Sequence, residues 1–445
     1  MNKHFLKQIR DNMPESLKRL MAPVFRNKLI KNKFYVQYRN LLQKRDYLNN
    51  DVVIAYQFQQ LKAICNYANK HIPYYKTLFE KVGFVPNQMT CLEDIKVVPF
   101  LTKELIREHF EDLISIKKVP GGHYVATTGG STGEPLKVLL DYDCVFKENA
   151  FVNHFRRSIG YEETHKLATF RGIEFGDELW KFNPIQNELI FSPFKLSKNT
   201  LHLYVNRINK YKPDYLNGYL SSLTLFAKLM SESNLKLKHK IKGVLLISEN
   251  IDIAQRDFLE NYFKVKSLTF YGHSERCIIA EEILPNEYAF DPYYGYTETV
   301  ENGDGSSFMV GTGFLNKTMP LIRYKTDDRV IQYDKLYRID GSRKSTMGLF
   351  GINGEFFSQA AFNIHNEILN NVNQYQFFQN QMGKADFLLV VNENFCDTEI
   401  DQIKREVDKK TKDVIDFNIK IVDQVILSKR GKFSMFINEL NQNNA

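Results

Sequence analysis

The chain has 445 residues, 43% hydrophobic and 25% charged, which suits two or three domains around a large core and excludes a disordered or fibrous protein. Its formal net charge of +8 is unevenly spread: residues 1–45 hold twelve Lys and Arg against only Asp11 and Glu15, leaving the rest slightly acidic. That distribution argues against nucleic acid as a partner, since a nucleic-acid binder carries its basic stripe on a folded domain.

In the basic helical arm (1–50), Phe5, Ile9, Met13, Leu17, Leu20, Met21, Val24, Phe25 and Leu29 recur mostly at steps of three or four. This is the period of an amphipathic helix, with interruptions expected at Pro14 and Pro23. The cations on its other face suit docking on the protein's own body, or peripheral contact of residues 1–45 with an anionic membrane. No stretch approaches the ~18 apolar residues of a membrane span. The N-terminus lacks the apolar run of a secretory signal. The expected location is cytoplasmic, with peripheral contact at the inner face of the membrane. Cys65, Cys91, Cys144, Cys277 and Cys396 are widely spaced; they suggest reduced thiols, with neither a disulfide framework nor a zinc site.

Over residues 51–340, short apolar strands alternate with helical stretches. Residues 244–247 read as a buried strand, Ile253–Phe263 as a helix and 267–271 as another strand, an order that suggests parallel α/β architecture. Strands at 296–299 and 307–310 flank Asn302, Gly303, Asp304 and Gly305, a hairpin signal. Residues 345–445 read as a small α+β domain. In it, 387–391 and 417–422 are strands, and Thr398 caps a helix with Ile400, Ile403 and Val407 on one face. The polar stretch 341–344 reads as a hinge.

Four motifs carry chemistry. The run TTGGSTGEP over 127–135 offers convergent backbone N–H groups and hydroxyls for a polyphosphate, without the Lys of a Walker loop. Tyr271, Gly272, His273, Ser274 and Glu275 follow an apolar strand, where open α/β sheets bind ligands. There an aromatic ring can border a base, and a carboxylate can hold Mg²⁺. In MPLIRYKTDD, over 319–328, a strand-end carboxylate can accept both hydroxyls of a ribose. Neighbours on a strand point to opposite faces, so Asp327 and Asp328 should not act together. Finally, Arg430, Gly431 and Lys432 put a lysine on a glycine-flexed loop, able to reach a developing charge on phosphate.

The order of these motifs resembles the adenylate-forming superfamily of acyl-CoA synthetases. It is nearest to the phenylacetate–CoA ligase family and that family's capsular-polysaccharide-biosynthesis (CapK-type) branch. The run KPDYLNGYLSS over 212–222, Ser248-Glu249 followed by Gln255-Arg256, and the stretch 312–324 carry the same resemblance, which covers about residues 55–440. It implies an α/β fold: a large N-terminal domain of mixed sheets with a small antiparallel part, and a small mobile α+β C-terminal domain.

The resemblance implies roles residue by residue. Thr128, Gly129, Gly130, Ser131, Thr132 and Gly133 would cradle the β- and γ-phosphates of ATP. Ser248 and Glu249 would join the nucleotide-binding set. Tyr271 and Gly272 would border adenine, Ser274 would face the α-phosphate, and Glu275 would bind Mg²⁺. Asp328 would hold the ribose, with Arg343 beside it at the hinge. Lys432 would bridge the carboxylate and the α-phosphate.

The implied reaction is activation of a carboxylic acid as an acyl-adenylate with release of pyrophosphate. Transfer then follows to coenzyme A or to a phosphopantetheine carrier, in surface-polysaccharide biosynthesis. Implied partners are an acyl-carrier protein or polysaccharide-biosynthesis enzymes. Two other readings are transfer of AMP itself to an acceptor and a non-catalytic membrane scaffold. The chain departs from the family pattern at Asp327, where glycine is usual, and at Gly341-Ser342-Arg343, one residue longer than the usual Gly-Arg and followed by Lys344. Arg171, after an apolar strand, and His273 are candidates to meet the acid.

Overall fold

Strands buried on both faces need no polar alternation, and the four-residue apolar runs of 164–267 build a sheet of that kind. The computed structural model describes residues 13–44, 50–127, 136–173, 175–303, 306–340, 348–358, 362, 366–369, 371–428 and 431–440. The loop 128–135, the 341–347 stretch and Arg430 lie outside the described residues. The chain divides into two units. The first is drawn from Met1–Pro23, Thr164–Ser267 and Ser342–Ala445, the second from Val24–Glu163 and Leu268–Gly341.

In the first unit, a six-stranded sheet runs in the order Trp180–Asn183, Glu188–Phe191, Leu167–Phe170, Tyr215–Gly218, Gly243–Leu246 and Ser267–Leu268. The strands from Glu188–Phe191 to Gly243–Leu246 are parallel, and Trp180–Asn183 is an antiparallel edge. Helices Lys198–Tyr211, Leu220–Glu232 and Ile253–Phe263 supply the crossovers. Phe170 anchors the core, its ring centroid 5.2 Å from that of Phe191 and 4.9 Å from that of Phe226. A Cβ at Gly218 would collide with the Phe170 carbonyl oxygen, so glycine lets the strand ends converge.

The same unit holds a four-stranded sheet ordered Asp416–Ile421, Lys384–Val391, Val372–Gln381, Phe436–Asn438. Phe377 stacks between Phe387 and Phe436, at 4.1 and 5.0 Å. Helix Asp397–Lys410 buries Ile403 and Val407 against this sheet's core. Its N-cap is Cys396, not Thr398: the Cys396 N–H donates to Glu399 Oε2 at 2.8 Å, forming a capping box two residues earlier than expected.

The second unit contains a seven-stranded antiparallel sheet, ordered Gly295–Glu301, Ser307–Gly313, Tyr324–Tyr333, Leu336–Asp340, Glu287–Phe290, Ile279–Leu284, Phe270–Gly272. Gly295–Glu301 and Ser307–Gly313 pair in full register, as the hairpin signal predicts. Residues 267–271 are not one strand. Ser267–Leu268 ends the parallel sheet and Phe270–Gly272 begins the antiparallel one. Between them the Thr269 N–H leaves the strand pattern for Glu282 Oε2, 3.2 Å away. A second layer of helices, Lys33–Lys44, Asn50–His71, Pro73–Val82 and Cys144–Arg156, belongs to the same unit. Arg323 buttresses its base, with Nε and Nη2 on the two carboxylate oxygens of Glu298 at 3.0 and 2.9 Å.

Pro23 does not interrupt the arm. Helix Glu15–Ile30 runs through it, and the break falls at Lys31 and Asn32. Burial of Ala22 and Leu29 on either side outweighs the local penalty of the missing N–H. In the first unit Glu15 pairs with Arg207, and Arg19 lies 5.1 Å from the ring centroids of both Phe182 and Tyr211. In the second, Tyr35 and Leu42 are buried with Phe151 and Phe155. Part of the arm's charge thus serves docking on the body. Cys65, Cys144 and Cys277 are buried free thiols, whereas Cys91 and Cys396 are exposed.

Candidate active site

The loop after strand Phe270–Gly272 carries the second motif, and glycines let it lie directly on the sheet. A Cβ at Gly295 would collide with the Cys277 carbonyl oxygen and stand 2.9 Å from that of Thr312. One at Gly311 would stand 2.5 Å from Ile278 Cγ1, and one at Gly313 3.0 Å from the Arg276 carbonyl oxygen. No side chain fits in that space.

Glu275 is 7% exposed. Its Oε2 lies 3.0 Å from His273 Nδ1, and its Oε1 accepts the Tyr324 hydroxyl at 2.8 Å. Burial opposes the charged form. The charge and hydrogen bond of His273 and the Tyr324 hydroxyl overcome it and hold the carboxyl down to about 2. The partner responds in kind: burial disfavours a charged His273, but Glu275 raises its pKa above the ordinary value.

Asp328 comes from strand Tyr324–Tyr333, and its Oδ2 accepts the Tyr271 hydroxyl at 2.8 Å. Asp327 points the other way, exposed and paired with Lys103. This is the alternation expected of neighbours on a strand. Tyr271, Gly272, Ser274, Glu275 and Asp328 therefore come together in the second unit. The Tyr271 and His273 rings are 6.0 Å apart, and those of His273 and Tyr324 6.4 Å. Tyr324 was not singled out from the sequence, although it shares a strand face with Thr326 and Asp328. Also missed was Arg276, whose Nε lies 2.5 Å from Glu148 Oε2.

The first unit holds Ser248, Glu249 and Lys432. The parallel strands end at Phe170, Gly218 and Leu246, and the loops beyond them form a seat. Gly431 is left-handed, with φ +66°, and a Cβ there would collide with Gly172 Cα and lie 3.1 Å from the Pro193 and Phe194 side chains. Ser428 brackets the next residue. Its Oγ accepts the Lys432 N–H at 3.0 Å, and its own N–H reaches the Lys432 carbonyl oxygen at 3.0 Å.

Glu249 follows Ser248, which is also left-handed, with φ 59°. The Glu249 carboxylate accepts the Ser221 N–H at 3.0 Å, the Ser221 hydroxyl at 2.9 Å and the Phe433 N–H at 3.2 Å. Burial raises its pKa, against the pull of those hydrogen bonds and of the Lys432 charge. Arg171 pairs with buried Glu188 at 3.5 Å. Of the expected residues, Thr128 to Gly133 and Arg343 lie outside the described residues.

Among the described residues, a separate group with metal-ligand geometry is Asp141, Asp143 and Cys144. Asp141 is committed to structure, however, accepting from the Lys317 N–H and from the Thr318 N–H and hydroxyl. Glu275, whose present partners are His273 and Tyr324, is an oxygen donor of the kind Mg²⁺ takes beside substrate phosphates.

Residues 351–439 match the CapK C-terminal domain. The chain is 22% identical to Protein CapK of Staphylococcus aureus, over 98% of this chain and 100% of that protein. It is 23% identical to a phenylacetate-coenzyme A ligase of Pseudomonas putida, over 67% of this chain and 70% of that one. A crystal structure of 2-hydroxyisobutyryl-CoA ligase in the postadenylation state aligns with a TM-score of 0.63 at 14% identity, covering 87% of this chain and 90% of that one. The same ligase with 2-HIB-AMP and CoA, in the thioesterification state, aligns at 0.55 with 16% identity, covering 90% and 94%.

The fold is the one seen in the adenylate-forming ligases. In sequence the chain is similar to the phenylacetate–CoA ligases and to Protein CapK, and its residues 351–439 match the CapK C-terminal domain.

Proposed function

We propose that this protein activates a carboxylic acid with ATP, releasing pyrophosphate, and passes the acyl group to a thiol of coenzyme A or of a carrier phosphopantetheine. The reading rests above all on the Tyr271–Asp328 pair standing beside the ionised Glu275. Asp328 accepts the ribose hydroxyls while the Tyr271 phenol holds it in place. Ser274 faces the α-phosphate, and Gly272 admits adenine next to Tyr271. Glu275 would hold Mg²⁺, which when bound lowers the charge repulsion between the phosphates and the incoming carboxylate.

Thr128 to Gly133 and Arg343 complete the nucleotide set by family resemblance. The acid's carboxylate oxygen attacks the α-phosphorus, and the bond to the pyrophosphate oxygen breaks. The Lys432 ammonium neutralises the charge that gathers there. In the second step the thiol sulfur bonds to the acyl carbon, AMP leaves with the bonding electron pair, and the thiol proton passes to solvent.

The test is ATP–pyrophosphate exchange with Mg²⁺ across aliphatic, aromatic, amino and hydroxy acids, phenylacetate and 2-hydroxyisobutyrate among them. Exchange dependent on one class of acid supports the proposal. No exchange above the acid-free rate with folded protein overturns it. A role in capsular or surface polysaccharide biosynthesis, beside a carrier protein or polysaccharide enzymes, is proposed from the motif resemblance; the full-length likeness is to Protein CapK.

Peripheral membrane contact is proposed for helix Glu15–Ile30. Leu17, Leu20 and Val24 are 42%, 77% and 53% exposed, one stripe at helical spacing followed by the exposed Lys28 and Lys31. No helix among the described residues is long and apolar enough to cross a membrane.

A further inference from the structure

We infer that Glu249 is a positioning residue whose carboxylate ties the Lys432 loop to the carboxyl end of the parallel sheet during adenylation. The tie must break when that loop withdraws. The inference rests on the adenylating role proposed above and assigns Glu249 a task other than contact with nucleotide.

Both Glu249 oxygens are engaged by the protein itself. Oε2 takes the Ser221 N–H, and Oε1 takes the Ser221 hydroxyl and the Phe433 N–H. Ser221 lies in the first turn of helix Leu220–Glu232, immediately beyond strand Tyr215–Gly218. One buried carboxylate therefore joins a rigid strand end to the residue following Lys432, at a separation of 184 positions. Two other features shape the same seat. Gly431 fits against Gly172 only because it has no Cβ, and Ser428 holds the Lys432 backbone from both sides.

A hydrogen bond from a backbone N–H to a charged acceptor is strong enough to bias a loop, yet it can be exchanged for water. The Lys432 charge also favours the ionised form of Glu249. The tie thus places the ammonium.

The variants are Glu249→Ala and the conservative Glu249→Gln, whose amide oxygen can still accept from Phe433. Two measurements are made on the full chain. The first is hydrogen exchange at the Phe433 amide, which needs no substrate. The second compares kcat for ATP–pyrophosphate exchange with the rate of thioester formation from enzyme preloaded with acyl-adenylate, using the acid active in the panel above.

Glu249→Ala is expected to speed Phe433 amide exchange at least tenfold. It should also lower the adenylation kcat roughly tenfold more than it lowers the thioester rate, with Glu249→Gln between it and wild type. Unchanged Phe433 exchange in Glu249→Ala overturns the inference. So does an equal fall of both half-reactions in the two variants, which would mark a merely structural residue. If wild-type protein exchanges no pyrophosphate with any acid, the proposed function fails, and the Phe433 amide still decides whether the tie exists.

Discussion

Tyr271 and Asp328 lie 57 positions apart and share a 2.8 Å hydrogen bond in which the phenol donates to Oδ2. The bond spans two strands of one sheet, so the carboxylate assigned to ribose is oriented by the residue assigned to adenine. Tyr271→Phe removes the donor and keeps the ring. ATP affinity, measured by calorimetry, should fall about three- to tenfold, the net worth of one such bond. Asp328→Ala should fall further, with the unfolding midpoint little changed. Equal affinity in wild type and Tyr271→Phe would separate Asp328 from the nucleotide.

The His273–Glu275 pair gives a pH signature. Glu275 is held at about 2, below its ordinary 4.5, so its contribution to stability is present above 4.5 and is lost as pH falls toward 2. His273 is raised from 6.5, so its contribution is full below 6.5 and is lost as pH rises through the raised value. The pair should therefore stabilise most between 4.5 and 6.5. Urea midpoints of wild type and His273→Ala should differ most in that window and converge above it. A constant difference from pH 5 to 9 would contradict the pairing.

Replacing Lys432 with Ala should depress the adenylation half-reaction roughly a hundredfold while ATP still binds, as expected of a group acting on charge that develops in the transition state. Exchange kinetics and calorimetry together check this. Full exchange activity would remove Lys432 from the reaction.

Gly295→Ala forces a methyl group against two backbone carbonyl oxygens, which unlike a side chain cannot turn aside. Overpacking of this kind costs about 1–3 kcal/mol. The expected result is a lower midpoint together with weaker ATP binding, because the displaced segment carries Glu275. An unchanged midpoint would mean that this segment does not rest on the strand.

Leu20→Glu on the exposed stripe should reduce co-sedimentation with anionic vesicles at least tenfold, given the ~1.5–3 kcal/mol of burying a leucine. Binding to neutral vesicles should be weak in both proteins. Pelleting that is indifferent to this change would assign the arm's charge to other partners.

Local pattern made much of the fold legible. Helix Ile253–Phe263 and the 244–247 strand follow from apolar spacing, and the hairpin at 302–305 from its turn residues. The 267–271 run misleads because its apolar pattern is continuous, whereas the break depends on Glu282, a residue 13 positions away that takes the Thr269 N–H. Pro23 misleads because the packing of Ala22 and Leu29 is not visible locally. In the site, carboxylates and glycines announced themselves by type. Tyr324 was hidden among family text, although the period of two groups it with Asp328. The Glu249–Phe433 bond left no trace at its far end, since any residue offers the same backbone N–H.

The cysteines have a practical consequence. Cys65, Cys144 and Cys277 are buried, and burial pushes all three thiols above their ordinary pKa, which disfavours alkylation. Cys91 is exposed in one unit and Cys396 in the other. The unaltered chain therefore carries one accessible attachment point for a fluorophore or spin label on each unit. Distances between the two dyes, recorded before and after addition of ATP, acid and thiol, would test whether the proposed reaction changes the spacing of the units.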